Sequence, residues 1–112
     1  MKPLRKSALS PAWRALVNRC QNLNFAVVDG VTFEAGEPVE AGTAVKTVAF
    51  GTMKDNGPAP AFGDPEAVLS DAWMGVITLA ASRQHLRVRR FEVAHGNPLK
   101  LHIEESVELS RG

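Results

Sequence analysis

The amino-acid sequence predicts an α+β domain: a tandem αββ repeat forming one four-stranded antiparallel sheet with two helices on one face. Three observations predict it. The chain reads LSPAW at residues 9–13 and LSDAW at 69–73, and these two segments hold both of its tryptophans. At an offset of sixty, residues 9–41 lie over 69–101 without a gap and share seven identities: Leu9/Leu69, Ser10/Ser70, Ala12/Ala72, Trp13/Trp73, Val28/Val88, Gly36/Gly96 and Pro38/Pro98. Each copy then passes from a helix-periodic segment into two strand-periodic segments separated by a glycine-containing turn.

The elements follow in order. With 112 residues the chain is expected to be a single domain, 1–112. Such a chain buries roughly two-thirds of its unfolded surface, enough for one core without disulfides or metal. In the first helix, the spacing i, i+3, i+4, i+7, i+8, i+11 selects Leu9, Ala12, Trp13, Leu16, Val17 and Cys20. In the second it selects Leu69, Ala72, Trp73, Val76, Ile77 and Ala80, again all apolar. Ser10 ahead of Pro11 reads as the cap of the first helix. The segment DPEA at 64–67 reads as an earlier start for the second, with Asp64 as cap and Ser70 inside the helix.

The second hairpin, with its turn at His95–Asn97, predicts Ala94 opposite Pro98, Val93 opposite Leu99, Glu92 opposite Lys100 and Phe91 opposite Leu101. Phe91, Val93, Leu99, Leu101 and Ile103 then face the core, with Arg90, Lys100 and His102 outside. The same register places Val31, Phe33, Val39 and Ala41 on the core face of the first hairpin, whose second strand is longer or kinked at Gly42. The halves, about 9–50 and 65–106, are joined by a Gly/Pro-rich connection at 51–64. About 35 residues of this kind cannot form a core alone, so the halves must share one.

The stretches NFAVVDGVTFEAGEPV and LRVRRFEVAHGNPLKLHIEE, each behind its helix, resemble the small αββ domains found in bacterial proteins of unknown function. Those show a comparable helix followed by a Gly-containing hairpin. The resemblance extends over each half, carries no catalytic motif and implies a fold.

Thirteen basic residues oppose twelve acidic ones, so no net field draws the protein to nucleic acid or an anionic membrane. The basic N-terminus lacks an apolar run behind it and does not read as a secretory signal. No segment is apolar for long enough to span a bilayer. One cysteine cannot form an internal disulfide and suits a reducing, cytoplasmic setting. Phosphate-loop, dinucleotide, nucleophile-elbow, zinc-protease and paired CxxC motifs are missing from the sequence. Cys20 lies on the core stripe and reads as a small buried apolar residue. His85, His95 and His102 do not converge as metal ligands.

The expected function is a non-enzymatic protein-interaction module, with no catalytic residues, metal or cofactor, acting as a homodimer or on a protein partner. The expected surface is the outward side of the second helix: Ser70, Met74, Gly75, Thr78 and Ala81 are small or apolar, whereas the first helix offers Arg14, Asn18, Gln21 and Asn22. The competing expectation is that residues 51–64 fold back over that side. Two alternative functions remain. The basic run RQHLRVRR at 83–90 offers Arg83, Arg87, Arg89 and Arg90, with Lys100, to nucleic acid, but acidic neighbours and the lack of an outward aromatic make such a partner unexpected. An enzyme would use His95, whose counterpart is Ala35.

Overall fold

Both helices open on a serine cap. The computed structural model describes residues 4–51 and 56–105. Helix α1 runs Pro11–Leu23 and α2 runs Asp71–Ala81. Ser10 Oγ accepts the Trp13 N–H and Ser70 Oγ the Trp73 N–H, each at 3.3 Å. The expected start of α2 at Asp64 is therefore corrected. Asp64 does accept the Glu66 N–H at 3.0 Å, but only in a local turn. The chain is then drawn out into a bridge between Val68 and Arg5, and helical geometry begins afresh after Ser70.

The strands are β1 (Ala26–Glu34), β2 (Glu37–Ala41), β3 (Ala44–Lys46), β4 (His85–Ala94) and β5 (Asn97–Glu104). They form an open antiparallel sheet of five strands, ordered β2-β1-β4-β5, with β3 also on β1. The expected count of four is corrected by β3. It continues β2 along the same edge of β1, in the same register: Ala41 lies opposite Val31 and Ala44 opposite Val28. Gly42 and Thr43 separate the two. A Cβ on Gly42 would sit 1.9 Å from the Asp29 carbonyl oxygen, so only glycine lets the edge pass so close to β1. Gly42 N–H donates to Gly30 O at 2.7 Å, and Asp29 N–H to Thr43 O at 2.8 Å.

One apolar cluster joins the stripes of both helices to Val28, Val31, Phe33, Leu86, Val88, Phe91 and Val93. The buried residues alternate along β1 at 26, 28, 31 and 33, and along β4 at 86, 88, 91 and 93. Each strand thus changes parity once, at Gly30 and at Arg89–Arg90, which lie at the middle of the β1–β4 ladder. About that middle, Val28 opposite Phe91 is balanced by Val31 opposite Val88, and Ala26 opposite Val93 by Phe33 opposite Leu86.

Both hairpins use two-residue turns, Ala35–Gly36 and His95–Gly96, with positive φ at every one of these four positions. That is the backbone of a type I′ turn, whose twist matches the strands it joins. The expected three-residue turn is corrected accordingly. Glu92–Lys100 and Phe91–Leu101 pair as expected, but Val93 faces Pro98 and Ala94 faces Asn97, with Leu99 displaced in a bulge. Leu99 is consequently 63% exposed rather than in the core, and Val39 is 57% exposed for the same reason. Ala41 is also exposed, while Leu101 and Ile103 pack partly against the core.

Each tryptophan ties its helix to its own hairpin. Trp13 Nε1–H donates to Gly36 O at 2.8 Å, and Trp73 Nε1–H to Gly96 O at 3.1 Å. The indoles also pack on phenylalanines, Trp13 on Phe33 with centroids 5.3 Å apart and Trp73 on Phe91 at 5.9 Å. The turn glycines meet the opposite helix. Gly36 lies against the Ala81 Cα, and a Cβ on Gly96 would come 3.2 Å from the Gln21 Cα and 2.8 Å from the Ala59 Cβ.

Lys6 is only 2% exposed. Its Nζ donates to Asn18 Oδ1, Gln21 Oε1 and Ala61 O, each at 2.7 Å, so all three ammonium protons are used. Burial pulls its pKa below the ordinary lysine value, and nearby Asp64 opposes that shift. Asn18 and Gln21, expected on a solvated face, instead hold this ammonium, and Gln21 is buried.

Two outcomes follow from this packing. Trp13→Ala and Trp73→Ala should each cost about 3–5 kcal/mol in urea unfolding followed by far-ultraviolet circular dichroism. Trp73→Phe, which strands the Gly96 carbonyl, should cost about 1–3 kcal/mol. A second comparison tests the edge: Gly42→Ala should destabilise by about 1–3 kcal/mol because the Asp29 carbonyl must move. Gly75→Ala, within α2 and with nothing inside 4 Å of the new Cβ, should instead stabilise by roughly 0.5–1 kcal/mol.

Candidate functional site

Two grooves occupy corresponding places at the ends of the sheet, each between a helix and the edge strand beside it. The first, about 340 Å³, is lined by Ala12, Ala15, Leu16, Arg19 and residues 38–41 of β2. The second, about 370 Å³, is lined by Ala72, Gly75, Val76, Leu79, residues 98–101 of β5, and Ile103. Every lining position of the first recurs sixty residues later in the second. The chemistry differs. Where the first has Arg19, Ala15, Val39, Glu40 and Ala41, the second has Leu79, Gly75, Leu99, Lys100 and Leu101. Both grooves are mainly apolar; the second has Leu79 and Lys100 in place of Arg19 and Glu40, and Gly75 leaves its helix side open.

Of the residues expected to form an interaction face on α2, the structure brings only Gly75 into this groove. Ser70 is taken up as the helix cap and donates its hydroxyl to Asn97 Oδ1 at 2.9 Å. Met74 packs partly on the core. Thr78 returns its hydroxyl to the Met74 carbonyl at 2.8 Å. Ala81 is exposed at the helix end, above the Gly36 turn. Strict alternation assigns Leu99, Leu101 and Ile103 to the core. Their part in a surface groove depends on the Leu99 bulge, which alternation does not reveal.

The alternative cover for α2 is corrected for the described residues of 51–64. Ala59 N–H donates to Gln21 O at 2.7 Å, Asn24 Nδ2 to Gly57 O at 3.2 Å, and Ala61 O receives Lys6. These residues therefore pack on the end of α1 and the Gly96 turn, and none of them lines the groove beside α2. Residues 52–55 lie outside the described residues.

The basic residues of the alternative reading stand in a mixed-charge lattice. Arg83 pairs with Glu105; Arg87 Nε lies 3.2 Å and Arg89 3.9 Å from Glu104; Arg90 Nε lies 3.9 Å from Glu92. His102 Nε2 meets Glu92 Oε2 at 2.8 Å, and that hydrogen bond holds Glu92 below the usual carboxylate range, against partial desolvation and with help from Arg90, His102 and Lys100. His85 lies 3.3 Å from Glu34. Lys100 is exposed opposite Glu92. A polar depression of about 490 Å³ beside Gly30 and Gly42 is lined by Asp29, Arg87, Arg89 and Glu104, both signs together.

His95 holds the first turn position at φ 55° with its ring edge-on to Phe25, centroids 4.7 Å apart. Among the described residues it makes no ion pair with a carboxylate. Cys20 is buried, and burial pushes its thiol up to about 12, against a small opposing effect of Arg19. Among the described residues, no group of three or more His, Cys, Asp or Glu is placed to hold a metal ion, and no helix is long and apolar enough to cross a membrane.

Comparison with protein-family models, curated proteins and solved structures yields no match.

Because each arginine of the basic run already faces a carboxylate, immobilised heparin should release the protein at or below physiological salt. Retention that falls steeply with salt would show phosphate-type contacts through counterion release. Cys20 should resist alkylation at pH 8 in the folded protein and react once the chain is unfolded in urea, read by intact mass.

Proposed function

We propose that this chain is a non-enzymatic protein-interaction module that docks a protein chain in the groove between α2 and β5. The observation that carries the reading is the contrast between the two grooves. We read the sixty-residue correspondence of caps, tryptophan bonds, turns and grooves as an internal duplication of an αββ unit, in keeping with the resemblance of each half to small αββ domains. On that reading the groove beside α1 is an internal reference for what the fold needs at these positions. It manages with Arg19, Glu40 and Ala41. The fold therefore does not require leucine at 79, 99 and 101; Leu79 and Leu101 pack partly on the core, while Leu99 is left exposed beside the groove, and an apolar side chain so placed marks where another surface is received.

Several features fit this use. The groove adjoins β5, whose outer edge has no neighbouring strand in the sheet order among the described residues. A strand laid there gains main-chain hydrogen bonds from the edge and side-chain burial from the groove, the economy of β-augmentation. The lone thiol of Cys20 suits work in a reducing compartment, the cytoplasm. The lattice of paired charges on the outer sheet face reads as a solvated surface rather than a phosphate track.

A photoreactive amino acid placed at Leu99, and separately at the matching Val39, tests the reading in cells expressing the full chain. Irradiation should give a discrete protein adduct from position 99 and none from position 39. Equal labelling from both positions, or none from 99, would overturn the proposal.

A further inference from the structure

The edge beside the groove carries a pattern that selects its occupant. Resting on the reading of the α2–β5 groove as a docking site, we infer that the occupant is β5 of a second copy of this chain, paired antiparallel about a two-fold axis through His102. The residues Lys100, Leu101, His102, Ile103 and Glu104 alternate exposed, half-buried, exposed, half-buried, exposed. In an antiparallel pair that sets His102 opposite its own symmetry mate, Lys100 lies opposite Glu104 of the second copy, and Glu104 opposite its Lys100. Leu101 and Ile103 lie opposite one another in the same way on the other face. The segment is thus self-complementary: two reciprocal ion pairs on the outer face, two reciprocal apolar pairs on the helix side. A two-fold interface demands that kind of match, since each residue meets the surface it belongs to.

The register also meets the charges already present on the outer face. Glu104 already gathers Arg87 and Arg89 within its own chain, and Lys100 sits opposite Glu92 on β4. Each incoming carboxylate meets a lysine that faces Glu92 on β4, and each incoming lysine meets Glu104, a carboxylate it shares with Arg87 and Arg89. On the helix side, Leu101 and Ile103 of the second copy extend the apolar wall toward Leu79 and Leu99.

The other edge of the sheet shows what a blocked edge looks like. Sixty residues earlier, the positions of Lys100, His102 and Glu104 are held by Glu40, Gly42 and Ala44. Self-pairing there would set Glu40 against alanine, and the edge is broken at Gly42–Thr43 between β2 and β3. Kinks and bulges of this sort are how natural sheets close an edge to further strands. The stretch Lys100–Glu104 has no such break on β5 itself.

The test uses the full chain and its oligomeric state by light scattering and sedimentation. Wild type should be a dimer at micromolar concentration. Lys100→Glu and Glu104→Lys should each weaken self-association roughly ten- to a hundredfold by placing like charges opposite one another twice. Mixed in equal amounts, the two variants should associate one to one. The two reversed charges then face each other on one side of the axis, and the native lysine–glutamate pair remains on the other. Circular dichroism establishes that each variant is folded. If Glu104→Lys unfolds through loss of its arginine contacts, His102→Cys carries the test alone: cysteines facing across the axis should form a disulfide-linked dimer on mild oxidation, whereas Lys100→Cys should not. A wild type that stays monomeric at high micromolar concentration would overturn the inference, as would a dimer indifferent to both charge reversals. Assemblies that keep growing with concentration would also overturn it, since they imply head-to-tail joining of unlike edges. An adduct from position 99 with a different protein, beside a monomeric wild type, would leave the docking reading standing and remove the second copy as its occupant.

Discussion

The hydrogen bond from each indole N–H to the carbonyl of a turn glycine organises this molecule. Trp13 reaches Gly36 and Trp73 reaches Gly96 across the same interval of twenty-three residues. The bond does more than satisfy a buried carbonyl. It fixes the height of each hairpin tip against its own helix, so the tip can project under the end of the other helix. There Ala35 N–H donates to Gln84 O and Gly96 N–H to Asn24 O, both at 2.9 Å. The carbonyls of the chain leaving each helix are thus met by the opposite hairpin. Each half is anchored by its own tryptophan and closed by its neighbour. Separated, either half would expose both its apolar stripe and these backbone groups, which is the physical reason for one shared core.

Much of this architecture is legible in the sequence. The helical spacing identifies the buried stripe, and Trp13, Leu16, Val17 and Cys20 are buried as their counterparts Trp73, Val76 and Ala80 are. The turn glycines and the pairing of Glu92 with Lys100 are also legible. What escapes is any feature that violates a simple period. A bulge at Leu99 shifts two residues of the ladder without altering composition, and the parity changes at Gly30 and Arg89–Arg90 do the same in the central strands. The DPEA signal is real but local. It makes a turn at Asp64 and then loses to the long-range bridge between Arg5 and Val68. Lys6 escapes for a related reason: a lysine near a chain end reads as solvated, and only the fold brings Asn18, Gln21 and Ala61 to its ammonium.

The candidate site is half legible. Lack of charge on α2 points toward that helix, and Gly75 does line the groove. The rest of the expected face is occupied by the fold itself, since Ser70 caps and Met74 packs. The groove arises where the helix meets an edge strand, and neither element shows that meeting alone. Comparing the two grooves position by position supplies the missing signal. Arg19 against Leu79 and Glu40 against Lys100 are the differences at matching positions of the two grooves.

An open antiparallel sheet has two edges, and both present unpaired backbone donors and acceptors. Here they have been treated differently. Along β1 the outer strand is interrupted at Gly42, where the close approach to Asp29 admits no side chain. Along β4 the outer strand keeps five regularly alternating residues with opposite charges at their two ends. Gly42 has no glycine counterpart at 102. Its place is held by His102, bonded to Glu92 and flanked along the strand by Lys100 and Glu104. The asymmetry between the edges is therefore concentrated in five residues of β5 and the groove beside them.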